Sequence, residues 1–448
     1  MSAINNVASG QVTDRQRFMA VLASCFGWSL DLFDLFLLLY VAPVIGKLFF
    51  PSDHPTLSLA AVYASFMVTL LMRPVGSAIF GNYADRHGRK VAMFIAVCGV
   101  GIVTAAFGLL PTLATVGLLA PIAFLGLRLI QGIFVGGVVA TTHTIGTESV
   151  PEHWRGAVSG LVGGGGAGLG ALLASVAFWI ASALYPGREF EVGGWRFMFY
   201  CGIVASILGL FILRYLEESP VWLAARTRVA SAASTEAKSP VSQLFAEPQR
   251  KILLVNLLVT AGAGSAYYVT SGYLPAFLKL INKVPNTSAS MILVGAAIVA
   301  TVSGPFVGYL SDRIGRRGAF LVVGVPALVL LPWMYLSMAA TQNISAIVGY
   351  ALAITFFGNA VLAPVPIFLN ERFPTVLRAS GTGLSWNIGF AFGGMMPTFV
   401  SLTAGETANI PMSLAVFCFA ACALFVIGAV VAGETQGAKL SREMNMSN

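Results

Sequence analysis

The chain has 448 residues, of which 57% are hydrophobic and only 10% are charged. Soluble globular domains carry about a quarter charged residues, so this composition excludes water as the main solvent and indicates a membrane protein. The formal net charge of +8 does not indicate a nucleic-acid partner, because the basic residues lie in the polar segments between long apolar runs.

Twelve apolar runs follow one another along the chain, and each is long enough for a helix that crosses a bilayer. In chain order they cover residues 18–41, 57–80, 91–111, 119–147, 157–184, 195–215, 251–281, 289–310, 318–338, 344–368, 379–403 and 410–433. These runs are apolar on every face, whereas the strands of a membrane barrel alternate apolar and polar residues. The sequence therefore predicts an all-α membrane protein with twelve transmembrane helices.

Polar segments divide the chain into two halves. We expect a cytoplasmic N-terminal tail at residues 1–17, a first six-helix bundle at 18–215 and a cytoplasmic linker at 216–250. A second six-helix bundle at 251–433 and a cytoplasmic tail at 434–448 complete the chain. The tail at 1–17 lacks the apolar core of a signal peptide. With both ends inside, about 19 of the 26 Lys and Arg residues face the cytoplasm and about five face outward, the expected positive-inside bias.

Two loop motifs occur once in each half. GNYADRHGRK at residues 81–90 follows the second run, and GYLSDRIGRR at 308–317 follows the eighth. A Glu, a Pro and an Arg recur with identical spacing at 148–155 and at 371–378. Any single cytoplasmic turn collects Gly and Arg, but two such pairs at matching offsets indicate an internal duplication.

These motifs resemble the major facilitator superfamily, and within it the metabolite:proton symporters. The matching stretches are RPVGSAIFGNYADRHGRK, RLIQGIFVGG, the ESP at 218–220 and WNIGFAFGGMMP at 386–397. The resemblance implies two pseudo-symmetric six-helix bundles around a cavity that opens alternately to each side of the membrane. It also implies proton coupling. The sialate and monocarboxylate symporters are related families that the chain also resembles.

Two acids inside the first span are candidates for proton coupling. Asp31 and Asp34 are three residues apart and share a helix face, and carboxylates within a membrane are costly unless they serve a function. They lie about 20–24 Å from the cytoplasmic end of their span, a depth that Arg128 on the fourth span shares. We predict that Arg128 neutralises one Asp and is released when that Asp is protonated. A fixed structural ion pair is the alternative.

Other polar residues within spans are candidates for substrate binding. They are Arg128, His143, Asn256, Tyr268, Ser271, Asn359, Trp386 and Asn387. His143 is equally compatible with a hydrogen bond between helices, and each neutral residue with helix packing. Arg73 is expected to pair with loop groups or lipid headgroups.

The repeated loops carry candidate gating residues. Asp85 and Arg89 in the first half and Asp312 and Arg316 in the second are predicted to form a charge network that breaks and re-forms as the halves move. The glycine-rich run at 160–175 lacks the Gly-Lys ending of a phosphate loop, so close helix packing is the better interpretation.

The sequence thus predicts an inner-membrane, proton-coupled symporter of a small organic anion, such as a mono- or dicarboxylate. A zwitterionic osmolyte or an aromatic or sugar acid is the alternative substrate. A non-transporting sensor on the same fold is the alternative of a different class. We predict no catalytic residues, cofactor or metal. The expected partners are an organic acid, protons and membrane lipid, with no nucleic acid, and the expected working form is a monomer.

Overall fold

The computed structural model of the chain describes residues 13–87, 89–150, 158, 160–215, 244–247, 249–373 and 375–435. All regular secondary structure in these ranges is helical. Ten helices in these ranges are long and apolar enough to cross a membrane. Helices suit this environment because their backbone hydrogen bonds are satisfied internally, without water.

The first part of the chain contains α1 (Asp14–Phe49), α2 (Pro55–His87), α3 (Arg89–Leu109), α4 (Leu119–Glu148), α5 (Gly166–Leu184) and α6 (Trp195–Tyr215). A π-helical turn at Leu161–Gly165 leads into α5, and another at Phe190–Gly194 leads into α6.

The second part contains α7 (Gln249–Tyr267), α8 (Asn286–Ile314), α9 (Arg316–Ala340), α10 (Ile344–Ala360), α11 (Thr375–Ala404) and α12 (Ile410–Ala432). Helix α7 continues through a π-helical turn at Tyr268–Gly272 into Leu274–Leu280, and a short helix at Val365–Arg372 follows α10.

Several helices extend beyond the apolar runs that predicted them. Helix α1 begins at Asp14 rather than at residue 18, because Thr13 and Gln16 cap its first turn through reciprocal hydrogen bonds of 3.3 and 2.9 Å. Helix α2 continues to His87, beyond the predicted end at residue 80. Backbone hydrogen bonding propagates through polar residues, so hydropathy marks the membrane-crossing part of a helix rather than its ends.

The helices pack in a pattern that leaves room at the centre. Helix α1 contacts α2, α4, α5 and α6, α2 packs against α4, and α3 packs against α6. Helix α7 contacts α11 and α12, α9 packs against α12, and α8 packs against α10. The main contacts between the first and second parts of the chain are α5 with α8 and α2 with α11.

Glycines allow α5 and α8 to approach closely. A Cβ atom at Gly164 would lie 2.7 Å from the Cα of Gly304, and one at Gly168 would lie 2.3 Å from the backbone nitrogen of Thr301. Because backbone atoms cannot rotate away, a larger side chain does not fit at either position. The prediction that the glycine run serves helix packing is confirmed.

Candidate functional site

A central cavity lies between helices from both parts of the chain. Helices α1, α2, α5, α7 and α11 contribute to its walls, as do residues at and after the end of α10. The space between these residues measures about 460 Å³, including the part that is open to solvent. Its lining includes Trp28, Asp31, Arg73, Tyr267, Tyr268, Trp386 and Phe390. Of the predicted substrate-binding residues, Tyr268 and Trp386 line this cavity.

The charged groups of the central cavity form a buried ion pair. Arg73 donates to Asp31 from both terminal nitrogens, with Nη2–Oδ1 at 3.0 Å and Nη1–Oδ2 at 3.2 Å. Asp31 is 2% exposed and Arg73 is 8% exposed. Bidentate pairs of this kind hold a carboxylate in one fixed geometry. Arg73 therefore holds the Asp31 carboxylate in place at the wall of the cavity.

The prediction that Arg73 pairs with loop groups or lipid headgroups is wrong. Helix α2 ends at His87, so the side chain of Arg73 lies about 21 Å along the helix from that end. Arg73 lies seven residues inside the apolar run that ends at residue 80, on the side of α2 that faces α1. At that depth the guanidinium needs an acidic partner, and Asp31 provides it.

Aromatic side chains form much of the remaining wall. Trp386 stacks on Phe390 with 4.0 Å between ring centroids and 18° between planes. Trp28 lies 5.9 Å from Trp386, and Tyr268 lies 6.1 Å from Phe390. Rings at these distances offer flat apolar surfaces and negative ring faces to a small solute.

Asp34 belongs to a different cluster, inside the first part of the chain. Its Oδ1 accepts hydrogen bonds from Thr104 Oγ1 at 2.5 Å and from Gln131 Nε2 at 2.6 Å. Asp34 is 5% exposed, and neither donor carries a charge. A buried carboxylate with only neutral contacts is stabilised less in its ionised form than one with a direct cation.

Arg128 reaches Asp34 through a glutamine rather than directly. Arg128 Nη1 donates to Gln131 Oε1 at 2.6 Å, and the same Gln131 side chain donates to Asp34. The guanidinium lies 4.5 Å from the ring centre of Phe107, and its Nε and Nη2 atoms have no hydrogen-bond partner in the part of the chain that the structure describes. The structure thus places Arg128 near Asp34, as the shared depth predicts, with Gln131 between their side chains. That Arg128 neutralises Asp34 and is released on its protonation stays a prediction. Gln131 follows Arg128 by three residues, about one helical turn, so its side chain occupies the space between Arg128 and Asp34.

A second cavity connects the surroundings of the two acids. It encloses about 310 Å³ between α1, α3, α4 and α6, and Asp31 and Asp34 both line it. Asp31 also lines the central cavity. Three residues along a helix correspond to about 300° of rotation, so the two carboxylates point about 60° apart and reach different neighbours. Asp31 is consequently the acid that borders both spaces.

A third cavity of about 300 Å³ adjoins the central one. Tyr267 and Ala167 line both spaces. The predicted residues Ser271 and Asn359 line this third cavity, together with Thr355. Neither Tyr267 nor Thr355 was predicted from the sequence, although Tyr267 is adjacent to the predicted residue Tyr268.

Three predicted binding residues lie elsewhere. Arg128 is buried but lines none of the three cavities described above. Asn256 is fully buried, and its amide has no hydrogen-bond partner, but it does not line any of the three cavities described above. Asn387 is half-buried and lines none of them either. The side chain of His143 lies outside the part of the chain that the structure describes.

The second repeated loop forms an ionic network at the junction of α8 and α9. Arg316 contacts Asp312 at 2.5 Å and Glu371 at 3.0 Å. Gly315 has a φ of 84°, and a Cβ atom there would lie 2.4 Å from a carboxylate oxygen of Glu434, which explains the glycine in this loop. In the second half, the loop motif at 308–317 therefore contacts the motif that begins at Glu371, through Arg316. The side chains of Asp85 and Arg89 lie outside the described residues.

A separate ionic contact joins the two parts of the chain at the opposite end of the helices. Glu191, which precedes α6, lies 3.5 Å from Lys47 of α1 and 3.4 Å from Lys279 of the α7 extension. Partial burial acts to raise the pKa of Glu191, but Lys279 and Lys47 outweigh it and hold the pKa below its ordinary value of 4.5. The stabilisation from these contacts is fully present above pH 4.5 and is lost as the pH falls through the lowered pKa.

The fold and the buried charges define a multi-pass membrane transporter rather than an enzyme. The sequence signature of the Major Facilitator Superfamily matches residues 17–397. The chain belongs to this superfamily.

Similar proteins support this assignment. The chain is 28% identical over 390 residues to an inner membrane metabolite transport protein of Escherichia coli (strain K12), covering 86% of the chain and 87% of that protein. It is 29% identical to the alpha-ketoglutarate permease (87% and 88% covered) and 26% identical to the proline/betaine transporter (90% and 80% covered) of the same strain. The crystal structure of a D-xylose-proton symporter shares the fold, with a TM-score of 0.71 and 16% identity over 93% of this chain and 97% of that one.

Proposed function

We propose that the chain is a proton-coupled symporter of a small solute with a carboxylate group, such as a mono- or dicarboxylate. The observation that carries this proposal is the ion pair of Arg73 and Asp31 inside the central cavity. A substrate carboxylate competes with Asp31 for the same guanidinium. Protonation of Asp31 removes that competitor, so proton binding and substrate binding favour each other.

In this mechanism Asp34 is the proton carrier. Its oxygen contacts Thr104 and Gln131, which are neutral, whereas Asp31 is neutralised directly by Arg73. Arg128 favours return of Asp34 to the ionised form through Gln131. Since both acids line the second cavity, a proton passes from Asp34 to Asp31, and Arg73 then exchanges Asp31 for the substrate carboxylate. Release on the other side reverses these steps.

The architecture in this proposal has twelve transmembrane helices in two six-helix bundles, at residues 18–215 and 251–433. Helices α6 and α11, added to the ten apolar spans, make up the twelve. The termini and the linker at 216–250 are cytoplasmic in the inner membrane, as the distribution of Lys and Arg favours. Asp312 and Arg316, with Asp85 and Arg89 of the repeated loop, act as the cytoplasmic gate, and the working form is a monomer.

A zwitterionic solute is the second candidate substrate, and the aromatic walls favour it. Trp28, Trp386 and Phe390 surround the ion pair, and aromatic faces attract ammonium groups. Arg73 would take the carboxylate of such a solute, and Asp31 would lie beside its cationic group. Proline/betaine transporters among the relatives carry solutes of this type by name, and the permease for alpha-ketoglutarate carries an anion.

Uptake into proteoliposomes tests the proposal. Labelled alpha-ketoglutarate, butyrate, proline and glycine betaine are supplied with and without an inward proton gradient. We expect the gradient to drive accumulation of at least one carboxylate, and Arg73→Ala to abolish its uptake. Arg250→Ala, at a position 59% exposed, is the matched control and is expected to transport normally. Unchanged uptake by Arg73→Ala would refute the assignment of the anchor.

A further inference from the structure

The third cavity has a polar wall that the proposed function does not use. We call Tyr267, Ser271, Thr355 and Asn359 the neutral subsite. Tyr267 and Ser271 lie on α7 and its π-helical turn, and Thr355 and Asn359 lie on α10. The wall that faces them is apolar apart from Tyr40 and includes Phe36 and Ala171. Tyr267 and Ala167 also line the central cavity, so the subsite adjoins the space that Arg73 borders.

Two hydroxyl groups of the neutral subsite lack partners. Tyr267 is 2% exposed and Thr355 is 3% exposed, and neither Tyr267 Oη nor Thr355 Oγ1 has a hydrogen-bond partner among the described residues. Burying a hydroxyl group without a partner is unfavourable, so such groups signal a missing ligand atom or water. Both residues line the cavity, and a solute that enters it can supply that partner.

Ser271 adds a third hydroxyl donor to those of Tyr267 and Thr355. Asn359 Nδ2 donates both of its protons, to Ser271 Oγ at 3.1 Å and to the backbone oxygen of Thr355 at 2.9 Å. Ser271 Oγ accepts from Asn359, which leaves its own proton for another acceptor. Tyr267, Ser271 and Thr355 therefore offer hydroxyl donors to an oxygen with free lone pairs.

No Asp, Glu, Lys, Arg or His is among the described residues that line this third cavity. An ionised carboxylate or ammonium there would lose its hydration without gaining a counter-charge, which is strongly unfavourable. A hydroxyl, carbonyl or ether oxygen meets no such penalty. The subsite therefore selects against a second charge, and its three hydroxyl protons suit a neutral acceptor.

We propose that the neutral subsite binds an uncharged oxygen at the far end of the substrate, so that the substrate is a hydroxy, oxo or alkoxy acid with charge at one end only. This inference rests on the proposed function, because Arg73 must hold the charged end. It narrows that function by disfavouring dicarboxylates that are ionised at both ends.

Three four-carbon acids test this proposal: butyrate, 4-hydroxybutyrate and succinate. Binding to the detergent-purified protein is followed by tryptophan fluorescence, since Trp28 and Trp386 line the central cavity. We expect 4-hydroxybutyrate to bind about two- to tenfold more tightly than butyrate, the effect of one neutral hydrogen bond. Succinate is expected to bind more weakly than either.

The variants Thr355→Val and Tyr267→Phe remove one hydroxyl each and keep the side-chain shape. Each is expected to weaken 4-hydroxybutyrate binding about two- to tenfold without changing butyrate binding. Thr403→Val, an exposed position on α11, is the control and should bind all three acids as the wild type does. Unchanged preference for 4-hydroxybutyrate in both subsite variants, or tighter binding of succinate than of butyrate, would overturn the subsite.

The same measurements distinguish a failure of the proposed function from a failure of the neutral subsite. Arg73→Ala is expected to weaken the binding of all three acids, because each depends on the guanidinium for its charged end. If Arg73→Ala binds them as the wild type does, or if the wild type binds none of them, the carboxylate anchor is wrong. If Arg73→Ala weakens all three and the hydroxyl variants change nothing, only the neutral subsite is wrong.

Discussion

The variant Asp34→Asn tests the proton carrier with little change in structure. Asparagine keeps the volume of the side chain and an oxygen that can accept the hydrogen bonds of Thr104 and Gln131, now at 2.5 and 2.6 Å. It cannot change its charge. We therefore expect a folded protein that exchanges substrate across the membrane but does not couple this exchange to protons.

The size of the effect follows from the number of available carboxylates. Arg73 neutralises Asp31, so Asp34 is the one carboxylate left to carry a proton. One proton is therefore carried per cycle. At zero membrane potential one pH unit across the bilayer is worth ~1.4 kcal/mol per proton, which corresponds to about tenfold accumulation of an anion. Wild-type vesicles should reach this ratio, and Asp34→Asn should stop near equal concentrations on both sides.

The assay compares two measurements in the same proteoliposomes. Uptake driven by a pH gradient, with the membrane potential clamped at zero, reports coupling, and counterflow of labelled substrate reports exchange. Asp53→Asn, an exposed position in the loop between α1 and α2, controls for the loss of a negative charge. Accumulation of about tenfold by Asp34→Asn would refute the assignment of Asp34 as the required carrier.

Three further outcomes are expected. Gly164→Ala should destabilise the protein by about 1–3 kcal/mol, because the new methyl would lie 2.7 Å from the Cα of Gly304, whereas Gly126→Ala, with no atom within 4 Å, should be neutral or slightly stabilising. Thermal melting in detergent measures both, and equal melting temperatures would contradict the close contact. Glu191→Gln should lower the melting temperature near pH 7, and the difference from the wild type should shrink as the pH falls through the lowered pKa of the Glu191 carboxyl. A difference in melting temperature that does not change with pH would show that the lysine contacts are not its cause. A reporter joined after Asn448 should be cytoplasmic, and its appearance outside the cell would reverse the proposed orientation.

Hydropathy and repetition in the sequence were sufficient to predict the class of protein. Long apolar runs in water are unfavourable, and in lipid they must be helical, so the all-α membrane fold follows from composition and run length. The repeated loops indicated the superfamily. The buried position of Asp31 and Asp34 was predictable for the same reason, because both acids lie in the middle of an apolar run.

Only the tertiary structure decided which groups meet. Residue spacing gives depth along a helix, and it placed Arg128 close to the acids, but contact also depends on the rotation of each helix and on what lies between. Gln131 occupies that space, and Arg73 reaches Asp31 because it lies on the side of α2 that faces α1. The neutral subsite forms only where α7 and α10 pack side by side. Rotation and packing arise from the fit of side chains across helices, which a linear pattern of apolar residues does not encode.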